Sequence, residues 1–432
     1  MCLFTTFVFE IPRGTRDFTA EEMRKRRYVE SIFRNVFELY GYQEIQTPIF
    51  EYVELFTIKS GDTILDELYE FTDKGNRRLA LRPELTAPVM RLYVDKLQME
   101  PKPIKVYYFG NCFRYDRPQK GRYREFLQAG CELIGTDTPE AIAELIALSS
   151  DLLNQIGLSK TELEIGNLNL LSKIFDSLSL TKDQQEGLLP YLDKEKLEDV
   201  KDLLYQWDVE ESKIIDFIDL LHKRDSDLLY RLLGDDEKIT MEINRLHRIL
   251  ELLRHHFFIK DVRLNMGIVR GLDYYTGVVF EVKAPLLGAE KQICGGGEYH
   301  LIPLFGGRNT PTAGFALGFD RTLLAMNEEQ KSFPNRQLQY YIIPVTEEMI
   351  PYGLELASIL RRTHKCSCDV DLLRRGMGKA LKYAHSQNTC HVVILGPREM
   401  ENNMLTIRNM ETGDQSEVPI DQFKMNPHHT KT

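Results

Sequence analysis

The chain has 432 residues, 43% of them hydrophobic and 28% charged, which suits an ordinary globular protein of roughly two to three domains with a large core. No apolar run approaches the roughly 20 residues that span a bilayer, and the opening MCLFTTFVF lacks a basic lead and a cleavage site, so neither a membrane span nor a signal peptide is expected. The seven scattered cysteines point to a reducing, cytoplasmic setting, and a net charge of −10 excludes a generally basic nucleic-acid coat while leaving local basic patches open.

Thr19 and Glu22 form a capping-box pattern that opens a helix with Phe33, Val36 and Phe37 on one face, closed near Gly41. Short strands are expected around Leu79 to Leu81 and Lys105 to Phe109. Asp137, Pro139 and Glu140 announce a helix through Ile142, Leu145 and Leu148. From about 170 to 258 strand formers thin out and leucine recurs at helical spacing, which reads as an all-helical insertion. Strand character resumes at Val262 and ends in a helix after Asp320. The polar stretch 327–337 reads as a linker between a domain over 1–326 and a small α/β domain over 338–432. Cys366 and Cys368 alternate along a strand with no second Cys/His pair at ligand spacing, so no metal site is expected.

The most informative stretch is FRYDRPQKGRYREFLQAGCE, Phe113 to Glu132: two antiparallel strands around a loop rich in Arg117, Lys120, Arg122 and Arg124. Residues two apart share a strand face. Leu127, Ala129, Cys131 and Leu133 therefore line one side, and Phe126, Gln128, Gly130 and Glu132 the other. Polar groups on an inner face need partners, whereas the solvated face of an ordinary hairpin would look the same. A second island, RGLDYYTGVVFEV at Arg270 to Val282, favours a site. A further basic cluster includes Arg361, Arg362, Lys365, Arg374 and Arg375; such runs are also common on solvated helix faces.

Together with IPRGTRDF (Ile11 to Phe18), YGYQEIQTPIFE (Tyr40 to Glu51), LRPELTAPVMR (Leu81 to Arg91) and PTAGFALGFDR (Pro311 to Arg321), these islands resemble the histidyl-tRNA synthetase family of class II aminoacyl-tRNA synthetases. The resemblance runs over nearly the whole chain, and RGLDYYTG is its most specific part. It implies an α+β fold: an antiparallel sheet flanked by helices, with the helical insertion and a C-terminal α/β anticodon-binding domain. It further implies a homodimer formed through the stretch containing Pro48, and a reaction of L-histidine with ATP and Mg²⁺, then with tRNA(His). The chain carries no GxxxxGK[ST] phosphate loop and no class I HIGH or KMSKS signature, so ATP is expected on the sheet.

Carried over position by position, the resemblance makes Arg114 and Arg270 the catalytic cations about the α-phosphate; a guanidinium suits this task because it stays charged and forks onto phosphate oxygens. Glu84, Leu85 and Thr86 form the amino-acid-binding loop, with Gln128 assisting at the α-amino group. Glu132 and Tyr275 bracket the imidazole, whose one donor and one acceptor a carboxylate and a phenol can satisfy, with Tyr274 and Tyr299 nearby. Phe126 stacks on adenine and Arg321 meets the γ-phosphate. Arg117 and Gln119 approach the tRNA acceptor end, with Lys120 and Arg122 on its phosphates.

Two departures stand out. The usual Glu-Gly-Thr is Glu84-Leu85-Thr86, and the usual Gly-Gly-Arg-Tyr-Asp is Gly296-Gly297-Glu298-Tyr299-His300, which reverses local charge beside Tyr299. Two rival readings keep the fold. One is a non-catalytic, histidine-sensing regulatory subunit of ATP phosphoribosyltransferase; the other is a synthetase-like RNA-binding accessory protein. The first typically lacks the C-terminal domain, and the second would lose Arg114, Arg270 or Arg321.

Overall fold

The computed structural model describes residues 9–427 except 61, 235, 270–274 and 336. The chain divides into two compact units, Met1–Ser332 and Phe333–Thr432. The first is built on an eight-stranded sheet of β1 (Gln43–Glu44), β2 (Ile104–Phe113), β3 (Glu125–Ile134), β4 (Glu162–Asn167), β5 (Val262–Leu264), β6 (Tyr275–Lys283), β7 (Gln292–Tyr299) and β8 (Thr312–Gly318), in the order β1-β2-β3-β8-β7-β6-β4-β5. Only the outermost pairs, β1 with β2 and β4 with β5, are parallel; the inner ladders are antiparallel. A three-stranded sheet (Phe50–Tyr52, Tyr69–Thr72, Arg78–Leu81) lies between β1 and β2 in the chain.

The register assigns the two faces of the sheet. Tyr107 on β2, Cys131 on β3 and Phe315 on β8 are directly paired and share one face, which packs on helix α1 (Ala20–Leu39). Phe37 of α1 stacks on Tyr107 at 4.8 Å between ring centroids and lies 6.2 Å from Phe315. The expected capping box starts α1: Thr19 Oγ1 accepts from the Glu22 N–H, and Glu22 Oε2 accepts from the Thr19 N–H at 2.7 Å. The next residues along, Tyr108, Gly130 and Ala316, and beside them Glu132 and Gly314, take the opposite face. That face carries the site.

Helix α2 (Thr86–Leu92) borders this opposite face, and α3 (Pro139–Gln155) follows β3. The cap of α3 differs from expectation. Thr138, not Asp137, accepts from the Ala141 N–H, because Pro139 at the first helical position makes the residue before it the cap. The helical run begins earlier than 170: α4 (Leu168–Ser177), α5 (Lys182–Asp193), α6 (Leu197–Gln206), α7 (Glu211–Lys223), α8 (Asp227–Leu233) and α9 (Glu237–His255). α10 (Phe319–Glu328) starts at the end of β8 and continues two residues past the start of the predicted linker.

The second unit has five strands, β9 (Leu338–Pro344), β10 (Cys368–Val370), β11 (Thr389–Leu395), β12 (Met404–Asn409) and β13 (Gln415–Pro419), ordered β10-β9-β11-β12-β13. Helix Ile350–Arg362 lies in the crossover between the parallel neighbours β9 and β10, and Met377–Ser386 in the connection from β10 to β11, which flank β9 on either side. Cys366 and Cys368 are buried in its core. Among the described residues no cluster of three metal-ligating side chains occurs, and no helix is long and apolar enough to cross a membrane.

Asp320, at the start of α10, ties the N-terminal segment to the sheet. Its buried carboxylate takes Arg26 at 2.5 Å, Arg16 at 2.9 Å and the Leu127 N–H at 3.0 Å. Removing a buried carboxylate strands two guanidinium groups and a backbone donor. Asp320→Ala should therefore cost about 3 kcal/mol or more, seen as an earlier urea transition, while Asp320→Asn, which keeps an acceptor, should lose less.

Candidate active site

Glu132 is a carboxylate in the middle of a sheet, 1% exposed. Gly314 stands opposite it on β8, and a Cβ there would lie 1.7 Å from Glu132 Oε2, so the carboxylate occupies the space that any other residue would fill. Tyr108 donates to Oε1 at 3.1 Å, and Tyr299 donates to Oε2. Burial pushes the Glu132 carboxyl up to about 8, although hydrogen bonds from Tyr299, Tyr108 and Thr86 favour its charged form and Glu84 adds a nearby negative charge. The cavity above it encloses about 230 Å³, and Glu84, Thr86, Arg114, Gln128 and Tyr275 are among the residues around it.

Glu84 has a structural task as well. Its carboxylate accepts from the Thr86 N–H at 2.6 Å and the Ala87 N–H at 3.0 Å, capping α2 and holding the loop against the cavity. Leu85 turns the other way. Its side chain is buried in a core cluster with Val89, Met90 and Tyr108 and is not among the residues that line the cavity. Its burial is satisfied by the apolar side of α2.

A second cavity, about 410 Å³, shares Arg114, Gln128 and Tyr275 with the first and extends past Phe126 to Arg321. Arg114 is anchored by its Nε, which donates to the Pro83 carbonyl at 3.0 Å, and its guanidinium lies 5.5 Å from the Phe126 ring centroid. Arg321 is held by the Gly121 and Gln292 carbonyls, each 3.0 Å away, and by Glu290. Glu290 also accepts from the Gln119 amide at 2.6 Å and lies 4.0 Å from Arg122. The tip of the β2–β3 loop is thus folded back along α10, with Gly121 held by Arg321 near its start, Lys120 paired to Glu328 at its end at 2.8 Å, and Arg117 exposed.

Most of the sequence-derived set therefore meets in two adjoining cavities: Glu84, Thr86, Gln128, Glu132, Tyr275 and Tyr299 at one end, and Phe126 and Arg321 at the other, with Arg114 between. Gln119 and Arg117 sit on the loop beside them. Arg270 and Tyr274 lie outside the described residues. Three participants went unnoticed in the sequence. Tyr108 is one, although its place on the strand paired with Gly130 was the available signal. Glu290 is another, without local signal. Arg245 is the third: it clasps Glu298 from α9, with Nη1 3.0 Å from Oε2 and Nη2 on Oε1, so the reversed charge at that position is matched.

The Glu132 carboxyl allows a direct check. Its folded value of about 8 exceeds the ordinary carboxylate value, so between them the folded chain holds a proton the unfolded chain has released. This group's contribution to stability is complete at low pH and fades as pH rises through 8. In urea melts at pH 5 and pH 8.5, the parent should lose more stability on going to the higher pH than Glu132→Gln does.

Comparison with known proteins places this geometry. The family model described as Histidyl-tRNA synthetase matches residues 14–322, and the Anticodon binding domain model matches residues 339–425. The Histidine--tRNA ligase of Methanocaldococcus jannaschii is 43% identical over 425 residues, covering 96% of this chain and 99% of that protein. That of Archaeoglobus fulgidus is 42% identical over 417 residues, covering 96% and 98%. Among solved structures, the apo histidyl-tRNA synthetase of S. aureus matches with a TM-score of 0.75 at 29% identity, over 97% of this chain and 99% of that one. An ATP phosphoribosyltransferase regulatory subunit/histidyl-tRNA synthetase from Bacillus halodurans C matches at 0.78 and 25% identity, over 90% and 99%. With matches that run through both units and take in both cavities, this chain belongs to the histidyl-tRNA synthetase family.

Proposed function

We propose that the chain is a histidine–tRNA ligase that joins L-histidine to ATP as histidyl-adenylate, releases pyrophosphate, and passes the histidyl group to the terminal ribose of tRNA(His). The observation that carries the proposal is the pair of adjoining cavities, one closed by a buried carboxylate with two phenols, the other lined by cations and an aromatic ring. In this reading Glu132 and Tyr275 bracket the imidazole, with Tyr108, Tyr274 and Tyr299 around it. Glu84, Thr86 and Gln128 hold the α-amino group. Phe126 supports adenine and Arg321 the γ-phosphate.

The substrate carboxylate oxygen attacks the α-phosphorus, the bond to the bridging oxygen breaks, and pyrophosphate departs. Charge builds on the phosphoryl oxygens, so fixed cations on either side do most of the work. Arg114, between the cavities, can touch both the carboxylate and the phosphate, and Arg270 is assigned the opposite side. Mg²⁺ forms part of the proposal. Such ions are usually held by one or two carboxylates plus substrate phosphates, and Glu281, which lines the larger cavity, fits that need. The ion would neutralise phosphate charge. A homodimer and a cytoplasmic location complete the reading; the dimer is supported by exposed Ile49, Phe50 and Tyr52 beside Pro48, apolar surface that a partner subunit would cover.

Histidine-dependent exchange of labelled pyrophosphate into ATP tests the ligase directly. A regulatory histidine sensor or an RNA-binding accessory protein would bind without exchange. Arg270→Ala should leave the chain folded and histidine binding little changed while kcat falls by about two orders of magnitude or more. Near-normal exchange by that variant would remove Arg270 from the chemistry.

Arg117 generates a test of the tRNA step. Phosphate contacts position an RNA, whereas base-edge contacts specify it. Arg117→Ala should leave adenylate formation nearly intact and lower kcat/KM for tRNA(His). If Arg117 reads the extra 5′ guanosine that the family's tRNA carries, deleting that nucleotide should add little further loss in the variant. Independent losses would make it a phosphate clamp.

A further inference from the structure

The ladder between β6 and β7 slips beside the smaller cavity. Gly297 pairs with Val279, but the next pair is Tyr299 with Tyr275, so three residues, Thr276, Gly277 and Val278, stand against the single Glu298. A bulge of this kind leaves a backbone donor without its ladder partner. Glu298 supplies the acceptor: its Oε2 takes the Val278 N–H at 2.7 Å. Gly277 has φ +81°, and a Cβ there would lie 2.5 Å from that same oxygen, so the bulge and the carboxylate are fitted to one another. The consequence is specific. Continuing the regular pairing would set Gly277 opposite Tyr299; the bulge sets Tyr275 there instead, with the two rings 6.2 Å apart on the wall of the cavity.

Glu298 is in turn fixed from outside the sheet. Arg245 of α9 holds both of its oxygens, donates to the Asp137 carbonyl at 2.7 Å, and is flanked by Glu242 at 3.6 Å. Glu242 itself accepts from Asn167 at the end of β4, at 2.6 Å. Helix α9 is thereby pinned to the strands on both sides of the bulge.

We infer that Glu298, clasped by Arg245, is a positioning residue that holds Tyr275 against the bound amino acid, so that the helical insertion helps set affinity for histidine. The inference rests on the proposed reading of the smaller cavity as the histidine site. Glu298 touches no substrate; it acts through the bulge.

The test measures KM for histidine and for ATP by pyrophosphate exchange in the full chain, with circular dichroism to confirm folding. Glu298→Ala strips the Val278 N–H of its acceptor and should raise KM for histidine by about tenfold or more, with KM for ATP nearly unchanged. Glu298→Gln, whose amide oxygen can still accept, should recover most of that loss. The exchanged pair Arg245→Glu/Glu298→Arg restores opposite charges but offers the Val278 N–H only another donor, so it should remain defective. Recovery of histidine KM in the exchanged pair, or parallel increases for both substrates in Glu298→Ala, would overturn the inference and reduce the contact to an ordinary ion pair. Tyr275→Ala separates the two levels. If it raises histidine KM while a folded Glu298→Gln and Glu298→Ala do not, the positioning role fails and the reading of the cavity stands. If Tyr275→Ala leaves histidine KM unchanged, both fall.

Discussion

A carboxylate buried in the centre of a β-sheet constrains everything around it. Isolated there, Glu132 would be far too costly to keep, and it is retained because three neighbouring strands are cut to fit. β8 contributes Gly314, whose missing side chain makes the space. β2 contributes Tyr108 and β7 contributes Tyr299, each donating a phenol hydrogen. Because side chains alternate along a strand, a slip of one residue in any of these ladders would send a donor to the wrong face and leave the acid unpartnered. The register of the inner sheet and the existence of the cavity are therefore one requirement.

Glu84 and Glu67, the acids beside Glu132, set the electrical character of the site. At its closed end the cavity presents acids and phenols and, among the described residues, no cation but Arg114, while the open end carries Arg122 and Arg321. An amino acid bearing a cationic amino group suits the first environment, and a polyphosphate suits the second. Arg114 stands where the two meet, its Nε tied to the Pro83 carbonyl so that the remaining nitrogens are oriented before any ligand arrives. Fixed charge of this kind needs no reorganisation during phosphoryl transfer.

Local patterns were readable in the chain because their causes are local. The Thr19–Glu22 capping box, the alternation that put Gln128 and Glu132 on one face, and the leucine periodicity of the insertion each depend on residues a few positions apart. The family motifs supplied most of the remaining site. What stayed hidden depends on pairing across long sequence distances. In IKVYYFG both tyrosines look like interior aromatics; only the register with Gly130 and Cys131 sends Tyr107 to α1 and Tyr108 to the carboxylate. Leu85 could have faced either way, and it took the apolar side of α2. Glu290 has no motif of its own, since its partners Gln119 and Arg321 come from segments 171 and 31 residues away.

The charge reversal at Glu298 shows why a departure from a motif is hard to judge from the motif alone. Taken singly, an acid in place of a base beside a binding tyrosine looks damaging. In the fold its partner is Arg245, 53 residues earlier, and the carboxylate gains a backbone donor that a guanidinium could not serve. A second ionic tie joins the insertion to the sheet at another point. Burial pushes Glu164 on β4 up, but Lys283, Asn265 and Arg224 hold it at about 2; Arg224 follows α7, and Lys283 ends β6. The insertion is thus bound to the sheet through ion pairs at two separate places, beside β6 in both cases. Breaking either match leaves an unpaired buried charge, so the helices inserted between β4 and β5 cannot shift freely without disturbing the strand that carries Tyr275 into the cavity.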